Sequence, residues 1–116
     1  MKFYRKNEKV FEVEDNVVLD LKEELANSKD AAFEKHIPYV VTEGNVVSVC
    51  IGEVPHPMQT VHYIEYVILV TNKMNYKKYL KPGDEPKVKF VLDNNERPEE
   101  VYAFCNIHGL WVKNLG

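Results

Sequence analysis

The sequence predicts an all-β protein, an antiparallel sandwich or barrel, on three observations. Several short runs are rich in β-branched and aromatic residues, turn residues punctuate them at short intervals, and no stretch carries a convincing helical period. Apolar residues make up 45% of the 116, enough for one domain to bury a core without disulfide staples.

Each element follows from local chemistry. Val10-Phe11-Glu12-Val13 reads as a short strand. Leu19, Leu21 and Leu25, set among acids and lysines, suggest a helical turn or an irregular lead-in. Asn27-Ser28-Lys29-Asp30 is a polar break that sets residues 1–28 apart from 29–116. Tyr39–Thr42 and Val46–Ile51 are strands joined by the tight turn Glu43-Gly44-Asn45. His62–Thr71 is a third strand, with Tyr63, Glu65, Val67 and Leu69 on one face and Ile64, Tyr66, Ile68 and Val70 on the other. Apolar residues on both faces predict a central strand covered on each side. Lys81-Pro82-Gly83-Asp84 turns the chain, because proline presets φ and glycine admits positive φ. Pro86–Leu92 then alternates Val88, Phe90 and Leu92 against Lys87, Lys89 and Val91. Asp93-Asn94-Asn95 turns again, and Glu100–Phe104 is the last clear strand.

Composition excludes several function classes. Fifteen Lys and Arg against eighteen Asp and Glu leave a net charge of −3, with the bases scattered. A nucleic-acid binder needs a basic stripe, and there is none. The apolar run Val67-Ile68-Leu69-Val70 falls far short of the roughly 18 residues of a membrane span. The start, Met1-Lys2-Phe3-Tyr4-Arg5-Lys6, is basic but reaches no apolar signal core, so a cytoplasmic protein is expected. Cys50 and Cys105 permit one disulfide but nothing requires it, and mid-strand Cys50 reads as a small buried residue inert toward metal.

The histidines are more informative. His36 lies in Phe33-Glu34-Lys35-His36-Ile37-Pro38, at the edge of the first strand after the polar break. His56 lies in the proline-bracketed loop Gly52–Met58, and His62 opens the central strand. Cys105 and His108 share Cys105-Asn106-Ile107-His108-Gly109, just after the last clear strand. Strand ends and loops are where binding residues concentrate. Singly, each reads as a solvated side chain, and a lone Cys-x-x-His is a weak signal; together they supply one thiolate and four imidazoles. Cys-x-x-His puts sulfur and nitrogen on one tight turn able to chelate an ion, with His56 and His62 approaching from another side. Zinc takes fewer ligands than these five donors. A copper site of two histidines, a cysteine and axial Met58 leaves two histidines unexplained. Ligand arithmetic favours iron, which accepts the larger set.

At these residues the sequence resembles the superoxide reductases, namely the neelaredoxins and the iron-binding second domain of desulfoferrodoxin. The resemblance rests on Glu34-Lys35-His36-Ile37-Pro38, on His56-Pro57-Met58 followed by His62-Tyr63-Ile64-Glu65, and on Cys105-Asn106-Ile107-His108-Gly109-Leu110-Trp111. Lys81-Pro82-Gly83-Asp84 also matches, so the similar blocks run in family order over about residues 29 to 113.

The resemblance implies an immunoglobulin-like antiparallel β-sandwich with a short N-terminal lead-in, and one mononuclear iron per chain. His36, His56 and His62 would bind it through Nε2, His108 through Nδ1, and Cys105 as the axial thiolate. The implied reaction is reduction of superoxide to hydrogen peroxide, with Lys35 attracting the anion and ordering a water, and Glu34 able to bind the oxidised metal. A rubredoxin-like electron donor and a homo-oligomer are further expectations. Backbone N–H groups of Ile107 and His108 are expected on the Cys105 sulfur, and Trp111 is expected to pack in the core. Residues 1–28 hold none of the cysteines of the desulforedoxin-like domain of desulfoferrodoxin, so they read as a metal-free remnant of it. The competing reading is a non-catalytic metal-binding or electron-transfer module on the same scaffold.

Overall fold

The computed structural model describes the whole chain, Met1–Gly116. In chain order the elements are β1 (Lys2–Lys6), β2 (Lys9–Val13), β3 (Lys22–Glu23), the single turn α1 (Phe33–His36), β4 (Pro38–Glu43), β5 (Val46–Ile51), β6 (Ile64–Thr71), β7 (Asn75–Tyr79), β8 (Lys87–Val91), β9 (Pro98–Cys105) and β10 (Gly109–Asn114). Strands β10-β9-β6-β7 make one antiparallel sheet and β4-β5-β8 the other. Their facing sides close a sandwich, one of the two forms the strand pattern predicts, and it is immunoglobulin-like, as the resemblance implies. No helix is long and apolar enough to cross a membrane.

The core follows the period of two. Val47, Val49 and Ile51 of β5 and Val88 and Phe90 of β8 meet Val67 and Leu69 of β6 and Val101, Ala103 and Cys105 of β9. Each fully buried aliphatic or aromatic side chain contributes roughly 1.5–3 kcal/mol. Cys105 is thus the last inward residue of its strand. One face assignment changes: Ile64 joins Val67 and Leu69 inside, because a register shift between Ile64 and Tyr66 inserts a bulge at Glu65. Cys50 also departs from expectation. It lies on the outer side of β5, half-buried, paired with Tyr39 and Lys87.

Residues 1–28 form a layer of their own, a small sheet in the order β2-β1-β3. Phe3 and Val10 bury the outer face of the larger sheet with Tyr66, Ile68, Tyr102, Phe104 and Leu110. Tyr66 Oη donates to Val10 O at 2.8 Å, and Asn27 grips β10 through Val112 N–H to Asn27 Oδ1 at 2.9 Å. Central strand β6 is therefore covered on both sides, as its two apolar faces require. Around Leu19–Leu25 the chain is irregular apart from the two residues of β3, with Leu25 exposed.

Besides the two-residue β3, four elements escape the sequence reading. Strand β7 is Asn75-Tyr76-Lys77-Lys78-Tyr79, too polar to announce itself, and α1 is one turn long. β1, Lys2-Phe3-Tyr4-Arg5-Lys6, has only two apolar residues set between bases. Strand β10 follows β9 after just three residues, because Gly109 at φ +80° lets the chain reverse between Cys105 and its partner Gly109.

Candidate metal centre

One pole of the sandwich gathers four segments. The β9–β10 turn carries Cys105 and His108, α1 ends in His36, the loop after β5 carries His56, and His62 precedes β6. The ligand atoms of His36, His56, His62, Cys105 and His108 all lie within 4.8 Å of one another. Neighbouring imidazoles meet edge to face around a closed circuit. Ring centroids are 4.7 Å apart for His36–His56 and His56–His62, 5.1 Å for His62–His108 and 4.8 Å for His108–His36.

Backbone carbonyls fix which nitrogen is bare. His36 Nδ1–H donates to Ala32 O and His56 Nδ1–H to Pro57 O, each at 2.7 Å. A carbonyl can only accept, so the lone pair stays on Nε2 in both rings. Nε2 of His36 stands 3.1 Å from Nδ1 of His108. Nε2 of His56 and of His62 is buried without any hydrogen-bond partner. Two buried ring nitrogens without a partner are costly in a protein interior, and a cation held among them would satisfy both.

Electrostatics agree with that donor set. Burial pushes the His56 pKa down to about 4, and burial also lowers those of His36 and His62. The charge of Lys35 pushes the same way on His36 and His62, so its field reaches the cluster. Burial raises the Cys105 thiol, opposed by N–H groups of His108 and Ile107; His108 N–H donates to Sγ at 3.3 Å. Neutral imidazoles are ready to bind, while cysteine would release its proton as a metal enters. One thiolate and four imidazoles form a soft, nitrogen-rich set that suits iron. Met58 lies outside it, its sulfur accepting Ile64 N–H at 3.5 Å.

Lys35 and Glu34 are both exposed on α1. Glu34 is not among the converging donors; it lines an open depression of about 630 Å³ with Phe33, Ile37, Tyr39, Glu53 and Lys113. Trp111 is fully buried, as expected, and does more than pack. It stacks on His36 at 4.8 Å and donates Nε1–H to His108 O at 3.1 Å, tying two of the histidines together. Size alone gave no hint of that second role.

The desulfoferrodoxin family model matches residues 28–114. A desulfoferrodoxin homolog of Archaeoglobus fulgidus is 45% identical over 82 residues, 71% of this chain and 64% of that protein. Desulfoferrodoxin of Nitratidesulfovibrio vulgaris is 41% identical over 86 residues, 72% of this chain and 65% of its own length. The chain thus spans just under two thirds of these relatives. The crystal structure of the superoxide reductase from Treponema pallidum superposes with a TM-score of 0.83 at 32% identity, covering 98% of this chain and all of that one.

Proposed function

Because the chain belongs to the desulfoferrodoxin family, we propose that it is a superoxide reductase, with one mononuclear iron per chain held by His36, His56, His62, His108 and Cys105. The observation that carries this reading is the convergence of five donors with two buried nitrogens lacking any partner. When bound, iron supplies the single electron that superoxide takes up with two protons to become hydrogen peroxide, and an outside donor returns that electron.

The chain's own residues do the rest. Lys35 presents a positive charge beside the cluster in a protein of net charge −3, so a small anion is drawn to this pole. Its ammonium also orders the water that delivers protons. The N–H groups on Cys105 Sγ temper its electron donation, and the carbonyls of Ala32 and Pro57 hold two rings in the ligating tautomer. Glu34, exposed and outside the converging donors, would have to swing its carboxylate toward the cluster to bind the oxidised metal. Residues 1–28 we read as a metal-free remnant kept for its packing. We propose a cytoplasmic, homo-oligomeric enzyme served by a rubredoxin-like donor.

The test is an optical spectrum before and after oxidation, paired with metal analysis and superoxide consumption. One iron per chain, a visible band on oxidation and catalysed peroxide formation are expected. An iron-loaded protein that consumes no superoxide would instead favour the non-catalytic electron-transfer module.

A further inference from the structure

We infer that Asn106 is the positioning residue for His62, clasping the segment that carries it onto the turn that carries Cys105 and His108. The inference rests on the metal-binding reading above and concerns a residue to which that reading gives no role. Three hydrogen bonds make the clasp. Asn106 N–H donates to Tyr63 O at 3.2 Å, Tyr63 N–H donates to Asn106 Oδ1 at 2.9 Å, and Asn106 Nδ2–H donates to Val61 O at 3.0 Å. They bridge residues 43 to 45 positions apart in sequence and seize the chain on both sides of His62.

His62 needs this more than its companions do. His36 and His56 are oriented by their own Nδ1–H bonds, and His108 by its N–H on Cys105 Sγ and its carbonyl under Trp111 Nε1. The His62 ring meets the rings of His56 and His108 edge to face, and its Nε2 has no hydrogen-bond partner. Its backbone closes a small turn with Gln59, through bonds of 2.9 and 3.0 Å, but that turn orients nothing by itself. The clasp does. The asparagine amide puts its donor and its acceptor on separate atoms, as the two side-chain bonds require: aspartate lacks the donor, leucine lacks both, and a serine or threonine hydroxyl has one shorter oxygen for both roles.

Cobalt(II) affinity of the full chain, measured against a competing chelator, tests the inference. Asn106→Ala should weaken cobalt binding about tenfold, the scale seen when outer-shell support is removed. In a His62→Ala background the same substitution should change affinity by less than about twofold, because the ring it positions is gone. Equal fold-losses in both backgrounds would overturn the idea. Asn72→Ala is the control: Asn72 makes a comparable pair of bonds at the other end of β6, to Arg97 N–H at 2.6 Å and Asn95 O at 3.4 Å. It should leave cobalt affinity unchanged; a matching loss would mean that Asn106 acts only through global stability. Should Asn106→Ala not fold, hydrogen exchange on the unaltered chain decides. Tyr63 N–H should be protected like the amides of β6, and solvent-rate exchange there sinks the clasp. An unaltered chain that binds no cobalt refutes the metal reading, whereas a binding chain indifferent to Asn106→Ala refutes only this inference.

Discussion

Gly52 and Lys35 meet backbone to backbone: a Cβ on Gly52 would stand 2.6 Å from the Lys35 carbonyl oxygen. It would also stand 2.4 Å from the carbonyl oxygen of Val54. The loop is laced to α1 here, Gly52 N–H to Ile37 O at 3.2 Å and Val54 N–H to Glu34 O at 3.0 Å. Gly52→Ala therefore meets both a clash and an unfavourable φ of +84°. It should cost about 2–4 kcal/mol in urea denaturation. Gly83→Ala, at φ +93° with nothing within 4 Å, should cost only about 1–2 kcal/mol.

Lys35→Ala should slow capture of superoxide about tenfold at low ionic strength, and the two proteins should converge as salt rises. Metal content should not change, since Lys35 is exposed and outside the donor set. Stopped-flow rates over a salt series check this. A variant rate equal to that of the unaltered protein at every salt would assign the steering elsewhere.

Cys105→Ser keeps nearly the volume of a fully buried side chain and removes the thiolate. The oxidised, iron-loaded variant should lose its visible sulfur-to-metal band, and activity should fall by at least about 100-fold. The spectrum is the decisive readout: a retained band would mean that another group provides the colour.

A pH response is expected at the far end of the sandwich. Glu96, only 8% exposed, accepts from Thr71 Oγ1 at 2.6 Å, from Tyr76 Oη at 2.9 Å and from Asp93 N–H at 3.0 Å. The Thr71 hydroxyl, then the Asp93 N–H and the Tyr76 hydroxyl, hold its carboxyl below the ordinary 4.5, against the opposing pull of burial. Since the folded value is depressed, ionised Glu96 stabilises the fold above the ordinary value, and that contribution fades as pH falls through the lowered one. Glu96→Gln should therefore be the less stable protein near neutrality and show a flatter decline in acid. Urea denaturation between about pH 7 and pH 3 compares the slopes.

Much of this was readable beforehand because the physics was local. Alternation in β5 and β8 reports a sheet with one buried face, and the doubly apolar His62–Thr71 run reports a strand with two. The five donors stand out by residue type alone. What stayed hidden depends on partners distant in sequence. Ile64 turns inward through a bulge set by β9, and polar β7 is a strand because β6 offers it a ladder. Trp111 touches His36 across 75 positions, and Asn106 reaches Val61 and Tyr63 across more than forty. Glu34 sits within the right motif, yet it stands outside the converging donors, which no spacing reveals.

The N-terminal layer also sets an order of assembly. Residues 1–28 are synthesised before the strands they cover: that surface is built from β6, β9 and β10, and β10 ends only at Asn114. Phe3 and Val10 must wait for almost the whole chain before they find Tyr102 and Leu110. Phe3 and Tyr102 meet at 4.8 Å across 99 positions, and contacts so distant in sequence are slow to close, so the layer is expected to dock late. Until then a nascent chain carries a bare apolar sheet face, and that interval is when chaperones or like chains would meet it.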